Sequence, residues 1–252
     1  MKQLLAAEWY KLTSGKLIFI ILAGAAIQTF LGIQRTPEDG ETLVLVMEAL
    51  ALFNKISWVF CFWLLAFAAF FIAQEFSHGT IRNTLAIGKK RTSVYLAKLI
   101  VLCVVTIPLL AVLCIAVIAG CTWAVGFGDA SLPDFIKSCA AQFFIQLVFH
   151  LCYAPLFAMI IVVCRNPALT IMVGFAYILS NGMVQAFLSG LPEPLSFLKT
   201  LSLEYYINNL KDPIGSAGTD ITFILQGFAA SLCYFTLYTS VGCLLFKKMD
   251  IK

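Results

Sequence analysis

The chain has 252 residues, of which 61% are hydrophobic and only 12% charged, with a formal net charge of +4. Soluble domains carry about 25% charged residues, so this composition excludes an ordinary water-facing surface and reads as an all-α polytopic membrane protein. In that class the small positive excess is not a nucleic-acid surface; what matters is where it sits. The nine cysteines lie mostly inside apolar runs with no C-x-x-C pair, and read as small packing residues rather than metal or redox groups.

Residues 2–15 precede the first apolar run. Leu5, Trp9 and Leu12 share one helical face while Lys2 and Lys11 are charged, which predicts a short interfacial helix or else a solvated tail. Glu8 and the lack of a small-x-small site speak against a cleaved signal. A bilayer core needs about 20 apolar residues, and six runs approach or exceed that length. They lie at about 17–34, 56–74, 99–123, 139–164, 168–188 and 221–246, in one transmembrane domain over 1–252. Residues 43–53 are apolar enough to extend the second run outward. Pro108 predicts a kink in the third span, the fourth contains Pro155, and Arg165-Asn166-Pro167 predicts a tight turn after it. The polar stretch 189–220 contains a candidate surface helix at 195–210.

Six spans put both termini on one side. That side, with segment 75–98 and Arg165, carries 12 bases and 3 acids, or +9; the other carries 5 bases and 10 acids, or −5. Lys and Arg favour the cytoplasmic face, so the expected orientation has both termini inside.

The chemistry of several enzyme classes is missing. The run Gly88-Lys89-Lys90-Arg91-Thr92 has Asn83 where a P-loop needs its first glycine, so no nucleotide site is expected. The only histidines are His78 and His150, with no H-E-x-x-H, and no acid sits at the centre of a span. The chain is therefore expected to have no catalytic site, metal or cofactor of its own. Two polar stripes do cross the apolar runs. Gln142, Gln146, His150 and Tyr153 share a face of the fourth span; Tyr177, Asn181 and Gln185 share one of the fifth. Such groups must face protein or water, either as interhelical hydrogen bonds or as the lining of a substrate pathway.

Segment 75–98, EFSHGTIRNTLAIGKKRTSVYLAK, is the long polar insert between spans 2 and 3. It holds five of the 17 Lys/Arg residues and one acid, Glu75. It reads as one or two short helices, with Phe76, Thr80 and Asn83 on one face, Ile81 and Leu85 on another, and Gly88 as a stop. On its own terms it is either a loop or a docking surface.

The pattern Glu75-Phe76-x-x-Gly79-Thr80-Ile81-Arg82-x-x-Leu85-x-x-Gly88-x-x-Arg91-x-x-x-Tyr95-x-x-Lys98 resembles the signature between spans 2 and 3 of ABC-2 type transporter permeases, and Glu8-x-x-Lys11-Leu12 is similar to the family's opening. The length resembles the small permeases of bacitracin-resistance and lantibiotic-immunity transporters. The resemblance implies a bacterial plasma-membrane exporter of an amphipathic peptide, antibiotic or lipid-like substrate. It implies a second permease copy or a paralogue in the membrane. ATP and magnesium would be bound by a separate pair of ATPase subunits. Glu75, Phe76, Gly79, Thr80, Ile81, Arg82 and Leu85 would form the coupling helix that docks on them. Glu75 would pair with Arg82 or with a base of the N-terminal helix, and short outer helices would fall in 189–220. An ABC-2 sodium exporter and an ATP-independent immunity or scaffold protein are the alternatives.

Overall fold

The computed structural model describes residues 2–33, 56–86, 88–125, 132–190, 193–210 and 220–249. All regular structure among them is helical. Helix α1 (Lys2–Ser14) leads into α2 (Leu17–Ile33) through a bend of 56°. At 17 residues α2 spans about 26 Å, a little short of a hydrocarbon core of about 30 Å. The end of the expected first span at residue 34, the loop after it and the apolar run 43–53 lie outside the described residues.

Helix α3 (Ser57–Ala68) continues through a π-helical turn (Ala69–Ala73) into α4 (Gln74–Ser77). Helix α5 (Thr80–Ala86) follows. Helix α6 (Arg91–Val125) is 35 residues long and runs on through Pro108, so Thr92–Lys98 of the polar insert belongs to the third span's own helix. The expected fourth span is two helices, α7 (Leu132–Leu151) and α8 (Tyr153–Cys164), with a turn at Cys152. Pro155, which cannot donate a backbone hydrogen bond, sits in the first turn of α8, where that loss is tolerated. The predicted turn after it is present. Arg165 takes a left-handed φ of 56°, and Asn166 caps α9 (Pro167–Ser189) by accepting from the amides of Ala168 and Leu169, with Pro167 at the first helical position. A 3-10 segment (Glu193–Leu201) and α10 (Leu203–Asn208) replace the single helix expected at 195–210, and α11 (Ile221–Lys248) ends the described chain.

Five of these segments are long and apolar enough to cross a membrane: 57–77, 91–123, 135–164, 167–188 and 221–248; α1 and α2 join them only if the bent pair counts as one span. Their packing explains the sequence's apolar excess. Phe60, Leu64, Phe67, Leu102, Leu109, Leu113, Phe149, Phe157 and Ile161 are fully buried between α3, α6, α7 and α8. By contrast α9 and α11 turn Met172, Met183, Phe187, Leu225, Leu232 and Leu237 outward. In water such surfaces would be costly; in lipid they are not.

Contacts order the two ends. Lys89 reaches Gln3 of α1 at 3.1 Å, and Arg91 donates to the carbonyls of Lys247, at 3.2 Å, and Met249. The guanidinium thus satisfies the open carbonyls at the end of α11, where a cation also meets the negative end of the helix dipole. The N-terminal helix, the polar insert and the end of the last helix therefore share one end. Ser57, at the far end of the 57–77 segment, instead faces Glu204 of α10.

Candidate functional site

At the first end, the insert is built around two glycines. Gly79 (φ +70°) and Gly88 (φ +83°) hold left-handed conformations, where a side chain is strained, and they isolate α5 as a seven-residue helix. The expectation that Phe76, Thr80 and Asn83 share one face fails at Gly79. The left-handed residue there separates α4, which ends at Ser77, from α5, so Phe76 belongs to the extension of the 57–77 segment. It is half-buried, and its ring meets the fully buried Phe246 edge-on at 6.2 Å. A Cβ at Gly79 would meet open space, so the glycine is required by its backbone angle and not by close packing. Within α5 the predicted split holds: Ile81 is buried, Leu85 packs against the core, and Thr80, Arg82 and Asn83 are exposed.

Of the two partners expected for Glu75, Arg82 does not reach it and a base of the N-terminal helix, Lys11, does. Glu75 is held by Lys11 of α1 and Lys98 of α6, and Lys98 also reaches Glu8 at 2.6 Å. Lys98, with a side chain 6% exposed, is the hub of this ladder of two acids and two bases. Lys11 donates as well to the carbonyl of Phe71 at 2.6 Å, in the π-helical turn, and lies 4.1 Å from the centre of its ring. On α1, Leu12 is buried, Leu5 half-buried and Trp9 half exposed, while Glu8 is half-buried against Lys98. A cleft of about 430 Å³ opens beside the ladder, lined by residues that include Lys11, Phe70, Glu75, His78 and Thr84.

At the other end the two polar stripes meet protein. Gln142, Gln146 and His150 are buried. The Nδ1 of His150 lies 2.8 Å from the carbonyl of Gln146, which can only accept, so the proton sits on Nδ1; the ring packs edge-on against Phe60 at 4.7 Å. Tyr153 ends this stripe and, with Tyr177 and Asn181 from the other, lines a small cavity of about 70 Å³ together with Ser202, Glu204, Tyr234 and Tyr238. Gln185 does not line it; its amide donates to the hydroxyl of Ser202 at the rim.

Glu204 is the residue that sequence reasoning missed. Its Oε1 accepts from Tyr153 at 2.7 Å and from Ser57 at 3.5 Å, and its Oε2 from Asn208 at 3.5 Å. Burial pushes its pKa up, and the hydrogen bonds from Tyr153, Ser57 and Asn208 only partly oppose this. Among the described residues no lysine or arginine pairs with it. In the sequence Glu204 is one of four acids in a polar stretch, with no spacing that singles it out; its partners Ser57 and Tyr153 are 147 and 51 residues away.

No curated protein matches the chain. A family match covers residues 17–252, from the start of α2 to the last residue, and by it the chain belongs to the family described as Protein of unknown function (DUF2705).

Proposed function

We propose that this chain is the membrane-embedded permease subunit of an ABC-2 type exporter. It would cross a bacterial plasma membrane six times, with both termini and the polar insert in the cytoplasm, and would move an amphipathic peptide, antibiotic or lipid-like substrate. Hydrolysis of ATP would take place in a separate ATPase pair, and a second permease copy would complete the pathway.

The observation that carries this reading is the construction of α5. A seven-residue helix is set off by two left-handed glycines, anchored inward by Ile81 and Leu85, and offers Thr80, Arg82 and Asn83 outward. A chain without a nucleotide motif must receive work through a protein contact, and a short rigid helix between two spans transmits it directly. The charge split of +9 against −5 supports the orientation. The ladder joining α1 to the same end supports a rigid cytoplasmic surface.

The test is copurification of an ATPase subunit with the chain, together with its substrate-stimulated hydrolysis. Arg82→Glu is expected to weaken the association by about 2 kcal/mol, as truncated arginine anchors commonly do, while membrane insertion is retained. Phe76→Ala is a poorer probe, because it also removes the contact with Phe246. Wild-type copurification and hydrolysis in Arg82→Glu would reduce α5 to a loop. For topology, a cysteine at Lys90 is expected to resist labelling from outside intact cells; cysteines at Asp39 and Ser216, which lie outside the described residues, are expected to react.

A further inference from the structure

We propose that the cavity beside Glu204 is a binding site for a primary ammonium group, the chemistry of an ethanolamine headgroup or of a free small amine. This goes beyond the exporter reading and holds whether or not an ATPase docks.

The argument begins with the carboxylate. An ionised acid accepts about four hydrogen bonds, and Glu204 receives only one short one, from Tyr153. The contacts from Ser57 and Asn208 stand at the 3.5 Å limit. A partly buried carboxylate without a cation is costly, so it either takes up a proton or takes up a cation. Among the described residues no base supplies the second solution. Lys199 forms no described ion pair, and Lys211 lies outside the described residues.

The lining selects the kind of cation. One carboxylate with hydroxyl and amide oxygens is too little negative charge for a dedicated divalent site, which gathers six or more oxygens. Tyr153, Tyr177, Tyr234 and Tyr238 line the cavity, and tyrosine rings attract organic cations. Two of their hydroxyls are already committed: Tyr153 to Glu204 and Tyr234 to the carbonyl of Leu201. What remains for a guest includes the free capacity of the carboxylate, the amide of Asn181 and ring surface. An ammonium group, with three donors and a compact charge, uses all three. The space also fits. An ammonium is close to water in size, one water needs roughly 15 Å³, and the cavity offers about 70 Å³, room for the nitrogen and the carbon attached to it.

The site should respond to pH, because only the ionised carboxylate holds the cation. The titratable groups around Glu204 are the thiols of Cys61 and Cys152 and the hydroxyls of Tyr153, Tyr177, Tyr234 and Tyr238. Free thiols and phenols ionise near pH 8.5 and 10, above free carboxylates at about 4.3, so the acid is the group that switches. Binding then strengthens as pH rises.

The experiment uses the full chain in nanodiscs of phosphatidylglycerol, with methylammonium chloride as probe and equal sodium or potassium chloride as control. Thermal unfolding is followed near pH 8 and near pH 5. Methylammonium is expected to raise the midpoint saturably near pH 8, and less near pH 5. Glu204→Gln is expected to weaken the half-saturating concentration by about tenfold or more, the worth of one charge-assisted hydrogen bond. Tyr153→Phe, which keeps the ring, is expected to weaken it severalfold and serves as the second variant if Glu204→Gln folds poorly. Replacing half the lipid by phosphatidylethanolamine separates the sources. If the headgroup is the occupant, the wild-type midpoint rises without added amine and the methylammonium response is suppressed; if a free amine is, that lipid changes nothing. Three results overturn the proposal: equal wild-type responses to methylammonium and potassium in phosphatidylglycerol, no response to either, or an unchanged response in both variants.

Discussion

Two glutamates tucked into this protein are treated in opposite ways. Glu75 lies between Lys11 and Lys98, and Lys98 is shared with Glu8, so two acids meet two bases. Glu204 has only neutral donors among the described residues: Tyr153, Ser57 and Asn208. The first arrangement is closed. Each charge is compensated inside the chain, and the ladder fastens α1 to α4 and α6. The second is open: the residue faces a cavity, its pKa is raised, and its charge waits on a proton or a guest. The same side chain is a fastening where the fold supplies lysines and a binding group where it supplies hydroxyls.

The largest effect is expected from breaking the closed ladder. Lys98→Met leaves Glu8 without a base and Glu75 with Lys11 alone, and should cost about 3 kcal/mol or more, seen as a lowered unfolding midpoint and protease release of α1. Lys11→Met should cost less than about 1 kcal/mol, because that side chain is 42% exposed and its pair is screened. Equal losses in the two variants would show that Lys98 is not the hub.

The open site should respond with the opposite sign. The folded-state pKa of Glu204 lies above its unfolded value, so the protonated form is the one the fold favours. Its stabilisation is complete below the unfolded pKa and is lost as pH rises through the raised one. In the absence of amines, wild type should lose on the order of 1 kcal/mol relative to Glu204→Gln as pH rises through that range. A pH-independent difference between the two would mean that Glu204 is already charge-compensated, like Glu75.

The smallest effect concerns the joint beside the ladder. Gly79→Ala should cost about 1 kcal/mol through its positive φ alone, since a Cβ there meets nothing. Gly79→Asn should cost less, because asparagine tolerates that conformation. A loss well above this in Gly79→Ala, by thermal unfolding, would show that the joint moves into a tighter packing than the one described.

Local chemistry was legible in the residues themselves. Gly88 ends a helix, Asn166-Pro167 begins one, and Ile81 and Leu85 turn inward together, because each depends on neighbours a few positions away. The apolar runs were legible for the same reason, and five of the six predicted spans appear as long apolar segments. The side-chain faces were less so. The spacing of α1 carries no sign that Glu8 meets Lys98, 90 residues on. Phe76 was expected on the face of α5, and Gly79 instead leaves it against Phe246, 170 positions later.

What the sequence by itself determined is the helical class and the long apolar segments, since hydropathy and turn chemistry act over one element at a time. It also marked Gln142, Gln146, His150, Tyr153, Tyr177 and Asn181 as groups that must face inward, because hydrocarbon offers them no hydrogen bond. Only the tertiary structure decided that Lys98 joins Glu75 to Glu8 and that Glu204 meets neutral donors among the described residues. Charge compensation acts through space over a few ångströms, and the partners of Glu75 and Glu204 come from helices that chain order does not place side by side.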